Sequence, residues 1–146
     1  MKRTILFLCT GNYYRSRFAE ELFNHLTRQA ELNWHATSRA LAIELGTWNV
    51  GPISPHTRAA LQERIICLPD PVRDPLRCLE QDLASADRII AMSKVEHRPY
   101  VAKRHPAWVD RIEYWSVHDL DRATADEALR EIERNMLGLV ESLRSR

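Results

Sequence analysis

The feature that most constrains this chain lies near its start, where a short apolar run meets a cysteine, a tight loop and a helical pattern. Residues 5–8 read ILFL and predict a buried strand that ends at Cys9. From Phe18 to Leu26 the apolar residues recur at helical spacing, so a helix starts a few residues after the strand. A strand, a tight loop and a helix in this order are typical of an α/β fold, in which ligands bind beyond the carboxyl ends of the strands.

The residues between strand and helix, here called the Cys9 loop (residues 9–16), have the composition of an anion-binding site. The spacing from Cys9 to Arg15 gives enough chain to curl around one tetrahedral oxyanion with the backbone amides pointing inward. The start of the helix adds unpaired N–H groups and a partial positive charge, and Arg15 adds a planar fork for two oxygens. The residues predicted to hold phosphate are Thr10, Gly11, Asn12, Tyr13, Tyr14, Arg15 and Ser16.

Cys9 lies at the focus of this predicted loop. A cysteine at a helix N-terminus ionises more readily than an ordinary one, so we expect a thiolate below the central atom of the bound anion. Gly11 allows close approach of the backbone, Asn12 tolerates a left-handed turn, and the Ser16 hydroxyl can donate to the thiolate. The pattern therefore predicts nucleophilic attack by Cys9 on a phosphoryl group, although a cysteine at the end of a buried strand can also be a small packing residue.

Length and composition narrow the function classes. The 146 residues are expected to form one domain, residues 1–146. With 21 Lys and Arg against 20 Asp and Glu, the formal net charge of +1 gives no reason to expect a nucleic-acid partner. No apolar stretch is long enough for a membrane span or a signal peptide, so a cytoplasmic protein without a membrane partner is expected. The three cysteines argue against a disulfide framework and the six histidines show no metal-ligand spacing, so neither a metal nor a cofactor is expected.

Alternating apolar runs and helical patterns predict the order of the elements. Strands are expected at about 4–9, 34–37, 88–92 and 112–115, and helices at about 16–30, 55–64, 80–84, 94–103 and 125–143. The last helix is the clearest prediction, because TADE at residues 124–127 has the form of a capping box. Three prolines within residues 69–75 predict a surface loop. Strands that alternate with helices indicate a parallel sheet covered on both faces.

The Cys9 loop and its flanks resemble the signature of the low-molecular-weight protein tyrosine phosphatases. Residues 5–20 read ILFLCTGNYYRSRFAE, where the family has an apolar run followed by Cys-x-Gly-Asn-x-x-Arg-Ser-x-x-Ala-Glu. Weaker likeness continues through residues 34–38, 48–58 and 87–92, so the resemblance spans nearly the whole chain. It implies an α/β fold: a single-domain three-layer sandwich with four parallel strands and helices on both faces, in a flavodoxin-like arrangement.

The resemblance also implies an activity, the hydrolysis of phosphotyrosine or another aryl phosphomonoester through a phosphocysteine intermediate. Cys9 would be the nucleophile, Arg15 would bind the phosphoryl oxygens, and an aspartate on the loop after the fourth strand would be the general acid. Residues 115–121 occupy that place, with Asp119 as the first candidate and Asp121 as the second. Ser38 stands where the family has a serine that supports the loop, although a serine there can equally bond local backbone. The expected partners are a phosphorylated protein or a small aryl phosphate, with inorganic phosphate or another oxyanion in the loop.

Several positions depart from the family pattern. Tyr14 replaces a second cysteine, Arg17 replaces a common proline, and Arg73 lies near the place of a structural histidine. Tyr13 replaces an apolar residue at the mouth of the pocket. We expect Tyr13 and Trp48 to supply aromatic walls at this substrate mouth.

Two alternatives remain open from the sequence. A thioredoxin-linked arsenate reductase shares this fold and loop, but it needs two further cysteines just after the third strand, where residues 92–94 read MSK. Cys67 and Cys78 lie earlier in the chain, and a disulfide relay depends on close sulfur approach. A non-catalytic phosphate- or phosphopeptide-binding module is the second alternative, because the predicted acid loop is altered, with Leu120 in place of the usual proline.

Overall fold

The structure, a computed structural model, describes residues 2–118 and 124–144. The strands are β1 (Arg3–Cys9), β2 (Trp34–Ala40), β3 (Arg88–Ala91) and β4 (Glu113–Tyr114). The helices are α1 (Arg15–Gln29), α2 (Pro55–Glu63), α3 (Glu80–Ser85), α4 (Lys94–Arg104) and α5 (Ala125–Arg144). The strands form one parallel sheet in the order β2-β1-β3-β4, with helices on both faces. The predicted α/β fold with four parallel strands is therefore confirmed.

The central strand β1 is buried on both faces and divides the core in two. Ile5, Phe7 and Cys9 pack with residues of α1 and α5 on one face. Leu6 and Leu8 pack on the other face with residues of β3, α3 and α4. Because successive side chains of a strand point to opposite faces, a central parallel strand needs a continuous apolar run, and residues 5–8 provide it. This arrangement places Cys9 at the carboxyl end of the central strand.

The predicted elements are present, with differences at their ends. β2 continues to Ala40 instead of ending at 37, because it pairs with β1 as far as Cys9. β4 is shorter than predicted, because its two residues pair only with Ile90 and Ala91 of β3. Two short 3-10 helices, Ile43–Gly46 and Pro106–Arg111, were not predicted, since segments this short carry no periodic pattern.

The longest of the described helices is α5, with 20 residues. Its start agrees with the predicted cap, because Thr124 Oγ1 accepts a hydrogen bond of 3.2 Å from the backbone N–H of Glu127. Its buried residues are spaced along one face and join the core beside α1. Within the two described ranges, no helix combines the length and the apolar composition that a membrane crossing requires.

Candidate active site

A cavity of about 160 Å³ opens at the carboxyl end of β1. Part of its wall is the Cys9 loop, which contributes Cys9, Thr10, Gly11, Tyr13, Tyr14 and Arg15. The rest comes from the segment between β2 and α2, which contributes Leu45, Gly46, Asn49 and Ser54. The sequence identified the first set because its members are contiguous around one motif. It missed the second set, because the weaker likeness of residues 48–58 to the family did not assign Asn49 or Ser54 to the pocket, and no periodic pattern marks Leu45 or Gly46.

Asn12 determines the shape of the Cys9 loop. It is fully buried and has a left-handed backbone with φ of 52°, as the sequence predicts. Its amide nitrogen donates to Ser16 Oγ and Ser38 Oγ, both at 2.8 Å. Its amide oxygen accepts from Arg73 Nη1 at 2.9 Å and from the backbone N–H of Leu76 at 3.1 Å. One side chain thus joins the Cys9 loop to β2 and to the proline-rich segment.

The Ser16 hydroxyl connects Asn12 with Cys9. Because Ser16 Oγ accepts from Asn12, its own hydrogen can be donated to Cys9 Sγ, which lies 2.9 Å away. Cys9 and Ser16 are both buried. A sulfur that accepts a hydrogen bond at the floor of the cavity is suitably placed for a nucleophile.

A charged cluster supports Asn12 from behind. Ser38 Oγ donates to Glu20 Oε1 at 2.5 Å, and Arg73 Nη2 donates to the same carboxylate oxygen at 3.0 Å. Arg73 Nη2 also lies 3.0 Å from Ser38 Oγ. Ser38 therefore contacts the side chain that shapes the loop. Arg73 has the same contact, and no signal in the sequence beyond its place in the family pattern pointed to it.

Arg15 is the first residue of α1, and only 2% of it is exposed. It lines the cavity, and its Nη1 donates to the backbone carbonyl of Val117 at 2.9 Å. Its Nη2 donates to Glu96 Oε2 at 2.5 Å, and its Nη1 lies 3.4 Å from Glu96 Oε1. The sequence did not identify Glu96, because a glutamate in the first turn of a helix normally indicates only a favourable helix terminus.

Glu96 is surrounded by hydrogen-bond donors. Thr10 Oγ1 donates to Glu96 Oε2 at 2.5 Å, and His97 Nε2 lies 3.0 Å from the same oxygen. The buried His97 ring accepts at Nδ1 from the backbone N–H of Ser93 at 3.0 Å, so Nε2 carries the proton of the neutral ring. Burial by itself would raise the pKa of Glu96, but the hydrogen bonds from His97 and Arg15 outweigh burial and hold that pKa well below its usual range. Glu96 is therefore a carboxylate at physiological pH.

Arg17 is a second buried arginine beside the Cys9 loop, with 2% of its surface exposed. Its guanidinium donates to the backbone carbonyls of Pro52 and Arg73, both at 2.9 Å, and lies 3.5 Å from that of Asn12. Burial, followed by the nearby charge of Arg73, lowers the pKa of Arg17. The residue that replaces a common family proline thus links three loops.

The two aromatic residues predicted at the substrate mouth have different positions. Tyr13 lines the cavity, and its hydroxyl donates to the carbonyl of Val50 at 2.6 Å, which fixes the ring. Trp48 does not line the cavity and is 91% exposed. The turn in which the Asn49 N–H donates to the carbonyl of Gly46 directs Asn49 inward in its place. The structure therefore does not bring Trp48 to the mouth that the sequence assigned to it.

The predicted acids, Asp119 and Asp121, lie outside the described residues. The remaining cysteines are away from the cavity: Cys67 is exposed beside a second cavity, and Cys78 is buried. Burial raises the pKa of the Cys78 thiol to about 12. Neither cysteine is placed beside Cys9.

Known proteins share both the sequence pattern and the fold. Residues 4–146 match the family described as low molecular weight phosphotyrosine protein phosphatase. A protein-arginine-phosphatase of Bacillus subtilis (strain 168) is 32% identical over 108 residues, which are 74% of this chain and 67% of that protein.

Solved structures agree with this assignment. A mutant of the YwlE arginine phosphatase of Bacillus subtilis with a phosphorylated active-site serine has a TM-score of 0.77 and 26% identity, covering 97% of this chain and 95% of that chain. YfkJ from Bacillus subtilis has a TM-score of 0.83 and 24% identity, covering 99% and 96% of the two chains, and supports the fold alone. The chain therefore belongs to the low molecular weight phosphotyrosine protein phosphatase family and is a cysteine-based phosphatase.

Proposed function

We propose that this phosphatase hydrolyses aryl phosphomonoesters such as phosphotyrosine through a phosphocysteine on Cys9. The observation that carries the proposal is the shared cavity wall of Cys9 and Arg15, with the Ser16 hydroxyl 2.9 Å from the sulfur. This arrangement combines a nucleophile with a guanidinium that can bind two phosphoryl oxygens.

In the first step, the Cys9 thiolate attacks phosphorus. The S–P bond forms while the bond from phosphorus to the aryl oxygen breaks, and the leaving oxygen takes a proton from a general acid. Arg15 and the amides of the Cys9 loop stabilise the charge that spreads over the other phosphoryl oxygens.

We assign the general acid to Asp119, with Asp121 as the second candidate. In the described part of the chain no carboxylate lines the cavity, so the acid has to come from another segment. The carbonyl of Val117 accepts a hydrogen bond of 2.9 Å from Arg15, so the chain passes the catalytic arginine shortly before Asp119. This contact supports an acid that approaches from the segment after β4.

In the second step, water attacks phosphorus and the S–P bond breaks. The same aspartate, now a carboxylate, accepts the proton of the water, and inorganic phosphate leaves. The phosphorylated active-site serine of the YwlE mutant supports a covalent phosphoenzyme in a relative.

The residues of the cavity wall bear on the choice of leaving group. The hydrogen bond from Tyr13 to the carbonyl of Val50 fixes the Tyr13 ring. Tyr13 and Leu45 both line the cavity and offer an apolar wall on which an aryl ring can stack. Phosphoarginine is the second candidate, because the Bacillus relative is a protein-arginine-phosphatase. A cationic guanidinium leaving group would be complemented by an acidic mouth, whereas the described cavity wall carries no carboxylate. We therefore favour aryl esters in phosphorylated proteins as the substrates. We also propose that the enzyme acts in the cytoplasm.

The test is turnover of p-nitrophenyl phosphate, a phosphotyrosine peptide, a phosphoarginine peptide and an alkyl phosphate. Cys9→Ser should abolish turnover, and Asp119→Asn should lower kcat for phosphotyrosine about 100-fold, the usual scale of general acid catalysis. Asp121→Asn distinguishes the two candidates, because the variant with the larger loss of kcat identifies the general acid. Phosphate binding without turnover would instead identify a binding module, and preferred turnover of the phosphoarginine peptide would overturn the aryl substrate.

A matched variant separates the phosphatase from the reductase alternative. The double variant Cys67→Ser, Cys78→Ser should retain the wild-type rate, because neither thiol lies at the cavity. Arsenate reduction by the wild type that this variant loses would instead indicate a disulfide relay.

A further inference from the structure

The buried guanidinium of Arg15 has an anionic partner that belongs to the protein itself. Glu96 reaches it from the first turn of α4, with Oε2 2.5 Å from Nη2 and Oε1 3.4 Å from Nη1. A buried cation without a counter-charge would be strongly destabilising. The Glu96 carboxylate therefore balances the charge of Arg15 before any substrate arrives.

Glu96 contacts Arg15 from outside the cavity. Arg15 and Thr10 both line the cavity, whereas Glu96 is not part of its wall. A guanidinium can bind paired oxygens through its two terminal nitrogens or through Nε and one terminal nitrogen. Glu96 uses the pair of terminal nitrogens. Its position behind the wall is that of a support for the guanidinium and not that of a competitor for the phosphoryl site.

The carboxylate is itself held in place. Thr10 Oγ1 donates to Glu96 Oε2 at 2.5 Å, and the buried His97 approaches the same oxygen at 3.0 Å. The backbone N–H of Ser93 fixes the His97 ring through Nδ1. Because Thr10 belongs to the Cys9 loop, one carboxylate connects α4 both to the loop and to Arg15.

We propose that Glu96 is a positioning residue for the phosphatase reaction, which orients the Arg15 guanidinium toward the phosphoryl group and holds Thr10 of the Cys9 loop in place. The inference rests on the proposed function, because it requires that the phosphoryl group bind beside Arg15. A fixed guanidinium aligns the phosphoryl oxygens for attack, and such alignment acts mainly on the chemical step. The negative charge of Glu96 also opposes the binding of a second anion nearby. Removal of Glu96 should therefore lower kcat without weakening the binding of phosphate.

The experiment compares wild type, Glu96→Ala and Glu96→Gln, with kcat measured on the phosphomonoester that the wild type hydrolyses best. Inorganic phosphate is the binding probe, measured directly by calorimetry. Glu96→Ala should lower kcat about 100-fold, the scale expected when a catalytic group is misplaced by about 1 Å. Glu96→Gln retains the length of the side chain and one acceptor oxygen, so its kcat should fall about 10-fold. In both variants the Kd for phosphate should stay equal or fall.

Glu113→Gln is the matched control, because Glu113 forms a comparable two-contact pair with Arg88, at 2.9 and 2.6 Å, away from the cavity. This control should retain both kcat and phosphate affinity. The inference is overturned if Glu96→Ala keeps kcat within twofold, if phosphate binding weakens in parallel with kcat, or if the loss disappears when activity is divided by the folded fraction measured by circular dichroism. If the wild type hydrolyses no phosphomonoester, the proposed function itself is wrong.

Discussion

The side chain of Asn12 should be the largest single contributor to the stability of the Cys9 loop. Asn12→Ala removes four hydrogen bonds, two buried bonds to serine hydroxyls and two partly buried bonds from Arg73 and Leu76. Each bond contributes about 1 kcal/mol, and the partners left buried raise the cost. The left-handed backbone, with φ of 52°, adds about 1 kcal/mol for alanine. We expect a loss of about 3–5 kcal/mol, a large part of the stability of an ordinary domain.

Equilibrium urea unfolding of three variants separates the two contributions. Asn12→Gly removes the side chain but accepts the left-handed backbone, so it should be about 1 kcal/mol more stable than Asn12→Ala. Asn49→Ala, a change to a cavity-lining asparagine with an ordinary backbone, should cost less than about 1 kcal/mol. The reasoning is refuted if Asn12→Gly is as stable as the wild type, because the hydrogen bonds would then contribute nothing.

Three further predictions follow from single residues. Burial, followed by the charge of Glu20, raises the pKa of Glu21 from 4.5 to about 7, against the opposing effect of Arg17, Arg73 and Arg28. As pH rises, the unfolded chain therefore loses this proton before the folded protein does. The stability of the folded protein should fall as pH rises from 4.5 to 7. Glu21→Gln should remove about 1–3 kcal/mol of that fall in urea titrations at pH 5 and 8, and an unchanged pH dependence would contradict it. Arg15→Lys should lower kcat/KM by about 100-fold or more, because a point charge cannot replace the two-oxygen fork, and near-normal kinetics would be incompatible with that role. Gly46→Ala would place a methyl group 2.8 Å from Asn49 Nδ2. This variant should raise KM for aryl phosphates, while kcat and stability stay close to those of the wild type. An unchanged KM would show that Asn49 does not contact the substrate.

The parts of the site that could be predicted from the sequence are those that local chain geometry determines. Cys9, Asn12 and Arg15 lie within one strand-loop-helix unit, where spacing and backbone preference already limit the arrangement. Glu96 and Arg73 could not be predicted in the same way, because they meet the loop only after distant segments pack together. From its own segment alone, each of these two residues is predicted to be an ordinary surface charge.

The same distinction explains the differences in the fold. The ends of β2 and β4 depend on how far a neighbouring strand offers a partner, and that register is a property of the sheet and not of either segment. Trp48 shows the converse, since it lies within the backbone turn that the Asn49 N–H closes on the Gly46 carbonyl, and its side chain is exposed although it is near the predicted pocket.

The hydrogen-bond acceptors of Arg17 also limit how the sequence around this cavity can change during evolution. Its guanidinium donates to main-chain carbonyls, at Pro52 in the segment before α2 and at Arg73 in the proline-rich segment. A carbonyl is present whatever the side chain, so exchanges of residue type in these two segments keep both of these acceptors. A one-residue insertion or deletion would instead withdraw an acceptor from a buried cation. Descendants of this protein should therefore acquire new substrate preferences by replacing residues around the opening while conserving the length of both segments.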